Sequence, residues 1–186
     1  MDNKLNRLLA FIFWFSLQVQ AQQHVYVYRD SVFAKLDGYK GKYKKLDSLK
    51  LIYTQEIQTE RAKLQNKYVG LSNLYAVEKG ETIDQLKARM NSLDKEKLIL
   101  LQEEDKLLAT RIKSYNRMLE QQFILEIQPY ISVVNKAISS YAKKNKVDYV
   151  WTMEELQNNL LFANPGKNIT KTIADAANKE FARRNL

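Results

Sequence analysis

The chain has 186 residues, a formal net charge of +9, a single histidine and no cysteine. The missing thiols exclude disulfides, thiolate metal sites and cysteine catalysis. The basic excess favours acidic partners or anionic surfaces, alongside the bland reading of a solvated surface.

In chain order, Lys4 and Arg7 precede an apolar run, Leu8 to Leu17, broken only by Ser16. Val19-Gln20-Ala21 then offers small residues at the spacing signal peptidase reads. Residues 1–21 therefore read as a secretory signal peptide cut after Ala21. The run is about half the ~20 residues that a membrane span needs. His24 reads as part of a frayed mature terminus. Val25-Tyr26-Val27-Tyr28 is a β-branched and aromatic strand candidate. Asp30 or Ser31 is placed to cap a following helical turn that carries Val32, Phe33 and Leu36. Gly38 and Gly41 loosen the chain on either side of Tyr39.

Residues 42–128 hold no proline and only Gly70 and Gly80. Leu46, Leu49, Tyr53, Ile57, Leu64, Tyr68, Leu71 and Tyr75 form a narrow seam at steps of three and four, passing through Glu60. That is a coiled-coil pattern rather than a helix sunk in a globular core. Gly80 is a natural residue to end this helix in a left-handed conformation. Thr82 and Gln85 form a capping-box pair for the next one. The descending helix then carries Ile83, Leu86, Met90, Leu93, Leu100 or Leu101, Leu107 or Leu108, Ile112, Tyr115, Leu119 and Phe123. At ~1.5 Å per residue each arm reaches roughly 50–70 Å.

Pro129 marks a kink or a new start, and Tyr130 to Asn145 reads as an amphipathic helix through Ile131, Val134, Ala137, Ile138 and Tyr141. Tyr149-Val150-Trp151 is a second strand candidate and Asn159-Leu160-Leu161-Phe162 a third. Asn164-Pro165-Gly166 is a turn. Asn168 is placed to cap a last helix, Ile169 to Arg183, with Ile173, Ala176, Ala177 and Phe181 on one face. The expected fold class is α+β, mainly α. A small β-containing association body, 22–41 and 127–186, closes across an inserted antiparallel hairpin, 42–126, whose tip lies near 78–82.

Catalysis has little to work with. Glu103-Glu104-Asp105 and Glu154-Glu155 have no histidine near them, and adjacent helical charges point apart, so both read as solvated faces. No phosphate loop, zinc spacing or hydrolase serine motif is present, and no cofactor is expected. Lys40, Lys42, Lys44 and Lys45 lie among Tyr39 and Tyr43 in a basic–aromatic strip. The signal peptide separates the protein from most nucleic acid, so nucleic acid is not an expected partner. The strip reads instead as a basic collar for acidic client segments or an anionic membrane surface, or as solvation alone. Residues 50–126 carry 13 basic and 12 acidic side chains, so the charge excess lies outside the arms. Tyr68 and Tyr75 are candidate client contacts, although seam spacing favours helix–helix packing. Asn168-Ile169-Thr170 also matches a glycosylation acceptor, with the helix cap preferred.

Several stretches together resemble the Skp/OmpH family of periplasmic chaperones. They are Val25-Tyr26-Val27-Tyr28-Arg29-Asp30, Pro129 through Ala142, Val147-Asp148-Tyr149-Val150-Trp151, and Asn168-Ile169-Thr170 before the last helix. Asn168 stands where the family commonly has aspartate, and it keeps the capping chemistry. The resemblance spans 22–186 and rests on the order of elements. It implies a periplasmic homotrimer whose helical arms enclose unfolded outer-membrane β-barrel proteins without ATP. Val25, Val27, Val150, Trp151, Leu161 and Phe162 would then belong to the trimer body. The nearly neutral arms depart from the strongly basic arms of relatives. A structural coiled-coil adaptor or spacer of the envelope with one fixed partner is the competing reading.

Overall fold

A computed structural model describes residues 22–76, 80–156 and 158–184. The expected signal peptide, 1–21, lies outside the described residues. The chain divides into two units: Gly38–Tyr130, and the residues up to Asp37 together with those from Ile131 onward.

The discontinuous unit is built on two short parallel strands. β1, His24–Val27, pairs with β2, Tyr149–Thr152, in the register Val25↔Val150 and Val27↔Thr152. Alternation decides the faces. Val25 and Val27 are buried, and Val150 and Thr152 are half-buried. The helix α1, Arg29–Ala34, follows β1 and packs on the last helix, α7, Thr170–Arg184. Val32, Phe33 and Leu36 are buried here, as are Val133 and Val134 of α5 (Gln128–Asn145) and Ile173, Ala174 and Ala177 of α7. Ala174 takes the inward place expected of Ala176, which is exposed. Asn178 of α7 clamps the end of α1: its Nδ2 donates to the Lys35 carbonyl and its Oδ1 accepts from the Asp37 N–H.

Three local expectations are corrected in this unit. The N-cap position of α1 is Tyr28, not Asp30 or Ser31, and its own side chain makes no capping bond. The capping oxygen comes instead from Glu154, in the short helix α6, Met153–Leu156, whose Oε1 accepts the Asp30 N–H at 3.0 Å. The Glu154-Glu155 pair is thus not simply a solvated face. Residues 159–162 form no strand. Tyr26 instead bridges to Asn168, and the Ile169 N–H donates to the Tyr26 carbonyl, so the free edge of β1 is already taken. Asn164 caps the 3₁₀ turn Pro165–Lys167, and the Asn168 side chain accepts the Thr170 N–H at 3.0 Å.

The second unit is an antiparallel hairpin of two helices, α2 (Tyr39–Asn73) and α4 (Ser92–Glu126). Cross-links run in opposite chain directions: Lys42 to Glu126, Tyr53 to Tyr115, Lys67 to Glu104 and Tyr75 to Asp94. Leu46, Leu49, Tyr53, Ile57, Glu60, Leu64, Tyr68 and Leu71 are all less exposed than their neighbours on α2, and Tyr75, in the turn beyond its end, is half-buried. Gly38 opens α2 in the left-handed region, at φ +79°, and a Cβ there would meet Tyr130 Oη at 2.9 Å. Gly41 does not loosen the chain; it lies within α2. The break at Pro129 is present, with α4 ending at Glu126 and α5 starting at Gln128.

The tip differs from the expectation. α2 ends at Asn73, before Gly80, which has φ +91° and leads into the capping box of Thr82 and Gln85. The descending arm is not continuous. A short helix α3, Ile83–Arg89, stops at an extended Met90, and Asn91 caps α4 by accepting the Asp94 N–H at 2.9 Å. The side chain of Asn91 offers the backbone an alternative to continuing the helix, so no glycine or proline is needed. The restart also resets the seam. Asp94, Leu98, Leu101 and Leu108 are buried, while Leu93, Leu100 and Leu107 face water.

Candidate functional site

Each unit leaves apolar surface uncovered. In the discontinuous unit, the outer face of the sheet is an aromatic row. The His24 ring stacks on Tyr149 at 5.0 Å, Tyr149 stacks on Trp151 at 5.9 Å, and Trp151 Nε1–H donates to His24 Nδ1 at 3.1 Å. His24 is therefore a strand residue with a fixed ring, not part of a frayed end. Beside this row lies an open groove of about 390 Å³, lined by Tyr26, Trp151, Met153, Leu156, Leu160 and Phe162. Leu161 is fully exposed and Phe162 largely so. Of the residues expected in an association body, Val25 and Val27 are consumed by the unit's own core, and Val150 is half-buried. Trp151, Leu161 and Phe162 are the ones left on the surface.

The lysine strip occupies the first turns of α2. Lys40, Lys42, Lys44 and Lys45 are all exposed. Lys42 is not a free cation, because its Nζ bonds Glu126 Oε2. That bond raises the Lys42 pKa and lowers that of Glu126. Tyr68 and Tyr75 are half-buried in the hairpin's own packing. Burial, then the nearby Asp105 and Glu104 carboxylates, raises the Tyr68 pKa.

Tyr75 belongs to a polar clasp where α4 restarts. Its hydroxyl donates to Asp94 Oδ2 at 2.6 Å and accepts the Asn91 N–H at 3.3 Å. Lys97 Nζ donates to Asp94 Oδ1 at 2.8 Å. The Lys97 bond first, and the Tyr75 bond second, hold the Asp94 carboxyl below its ordinary range. A buried carboxylate so fully bonded is a structural fastener rather than a reactive group. The Asn91-x-x-Asp94 spacing was its signal in the sequence.

On the hairpin's solvent side, Leu93, Leu100 and Leu107 recur every seven residues along α4 and are 61%, 63% and 66% exposed. Among the described residues, no group of His, Asp or Glu side chains is arranged to hold a metal ion. No described helix is long and apolar enough to cross a membrane.

A two-stranded sheet with its helices, joined to a long helical hairpin, makes this an α+β protein that is mainly α. The profile of the OmpH-like outer membrane protein family matches residues 24–176, and the chain belongs to that family. Among solved structures it is similar to a chain from Caulobacter crescentus assigned as an OmpH-like outer membrane chaperone. The identity is 14%, the coverage 86% of this chain and 85% of that one, and the TM-score 0.40. No curated protein sequence matches.

Proposed function

We propose that the chain is an ATP-independent holdase of the periplasm, exported by cleavage after Ala21. It binds unfolded outer-membrane β-barrel proteins and keeps them from aggregating before insertion. The observation that carries this reading is a row of leucines left in water, Leu93, Leu100 and Leu107, on a member of the OmpH-like outer membrane protein family. An unfolded barrel protein exposes alternating apolar side chains and unpaired strand backbone, which aggregate in water. Many weak apolar contacts, displayed several times over by an oligomer, hold such a chain through effective concentration. Release then needs no nucleotide, because membrane insertion offers the client a better place for the same side chains.

The association surface in this reading is the aromatic row with Trp151, together with Leu161 and Phe162, and the assembly is a homotrimer. Fully burying a side chain such as Leu161 or Phe162 contributes roughly 1.5–3 kcal/mol. The exposed Lys40, Lys44 and Lys45 supply the basic surface for acidic client segments or an anionic membrane.

The test is suppression of aggregation of several unrelated unfolded barrel proteins by the mature chain. A holdase protects most of them at about one trimer per client. A spacer protects none, and co-purifies with one dominant partner.

A further inference from the structure

The anchored part of the N-terminal segment begins one residue after the expected cut. The Gln23 carbonyl accepts the Asp148 N–H at 3.0 Å and the Tyr149 N–H at 3.3 Å. The Gln23 N–H donates in turn to Asp148 Oδ2 at 2.7 Å. From His24 to Val27 the chain then pairs with β2. Gln22 stands just ahead of this anchor and is exposed. Cleavage after Ala21 would therefore leave one residue in front of the anchor, and that residue is a glutamine.

A glutamine at a free N-terminus has chemistry that it lacks inside a chain. Through Cα, Cβ and Cγ, its amine reaches its own side-chain carbon Cδ in a five-membered ring. An α-amino group titrates just above neutrality, so at neutral pH a share of it holds the free lone pair that attack needs. The amine nitrogen bonds Cδ, the Cδ–Nε2 bond breaks, and Nε2 leaves as ammonia with a proton from the attacking nitrogen. The step needs no oxidant, metal or second substrate. Gln23 is barred from it, because its nitrogen is a peptide N–H already given to Asp148.

We propose that Gln22 of the exported chain is a modification site, converted to a pyroglutamate lactam that caps β1. This modification depends on the proposed cut after Ala21 and is independent of holdase activity. The lactam replaces a terminal ammonium with a neutral amide. One positive charge is thus lost two residues from the His24 ring that stacks on Tyr149. The lactam also denies aminopeptidases the free amine they recognise. What lies behind the cap is short, since β1 has only four residues. Removal of Gln22 and Gln23 would delete every bond that Gln23 makes to Asp148 and Tyr149. Chain ends are where such trimming concentrates. The pairing put at risk is the one that holds Val25 and Val27 in the core.

The test uses the full chain, expressed with its leader and purified as the exported protein. Its intact mass is taken directly after harvest, and the unfolded chain is sequenced from its N-terminus. The mass should be that of residues 22–186 less one ammonia. Sequencing should be blocked, then read Gln23-His24-Val25 after treatment with pyroglutamyl aminopeptidase. A free Gln22 overturns the proposal and leaves the cut after Ala21 standing. Cyclisation that appears only during storage of the purified chain overturns it as well. A chain that begins at another residue removes both the cut and the modification, while suppression of barrel aggregation is read separately. In Gln22→Asn the ring would have only four members, so this variant should keep its amine. A general aminopeptidase should shorten the variant about tenfold faster than the parent. Equal rates count against the cap. If the variant is not exported, the mass and sequencing of the parent decide alone.

Discussion

Gly38 shows how one residue constrains the hairpin. Its φ of +79° is open to glycine at little cost, and the space where a Cβ would stand is taken by Tyr130 Oη at 2.9 Å. Gly38→Ala should therefore destabilise the chain by about 1–3 kcal/mol, measured by urea unfolding. Glu154 is a second such residue. Burial alone would raise its pKa, but the nearby backbone N–H groups of Glu154, Arg29 and Asp30, the last of them bonded to Oε1, outweigh that, leaving a lowered value. A carboxyl with a depressed folded pKa contributes stability that is present above its unfolded value, near 4.5, and lost as pH falls through the folded value. Thermal unfolding of Glu154→Gln followed from pH 7 downward should show the variant less stable at neutral pH and the gap closing in acid. A constant gap would mean that the carboxylate charge is not what matters. The capping role of Glu154 was not legible in the sequence, because its partner in α1 is 124 residues away. Gly38 was legible, together with Gly41, as a loosening point, since glycines before a long glycine-poor stretch are a local signal, but nothing local tells which of the two stays outside the helix.

The elements divide along the same line. The α2 seam from Leu46 to Leu71 was readable residue by residue, because helical periodicity is set by the chain's own neighbours. The break at Met90–Asn91 was missed because the stretch lacks glycine and proline, yet Asn91 and Asp94 carried a capping pattern. Asn91→Ala should cost about 1 kcal/mol through loss of that cap. It should also move residues 83–94 toward one continuous helix, detectable as slower amide exchange at Met90 and Asn91. The third strand at 159–162 failed for a different reason. Strand formation needs a partner edge, and which edge is free depends on where Asn168 and Ile169 return to β1. Along the hairpin, the Tyr53–Tyr115 rings stack at 4.0 Å and 7°, and the Tyr115 hydroxyl bonds Glu56. Tyr115→Ala should cost at least the ~0.5–1.5 kcal/mol of an aromatic pair. Its effect on exchange should be strongest in the middle of α2 and α4.

At the scale of the whole molecule, the charge excess lies outside the hairpin arms, while the exposed leucine row lies within them. Residues 50–126 are nearly neutral, while the exposed Leu93, Leu100 and Leu107 lie within them. Retention of clients should therefore respond weakly to salt, while any contact through Lys40, Lys44 and Lys45 should weaken as salt rises. The discontinuous unit exposes Trp151, Leu161 and Phe162 instead of burying them. Replacing Leu161 and Phe162 with Asp should yield monomers; trimers that persist would show that association uses another surface. The order of elements was enough to find the family. The surfaces were not, because which side of α4 faces water depends on the restart at Asn91. The most direct test is the native mass of the mature chain, alone and mixed with an unfolded barrel protein. A trimer that gains one client supports this account. A chain that stays monomeric, or a trimer that never takes up a client, contradicts it.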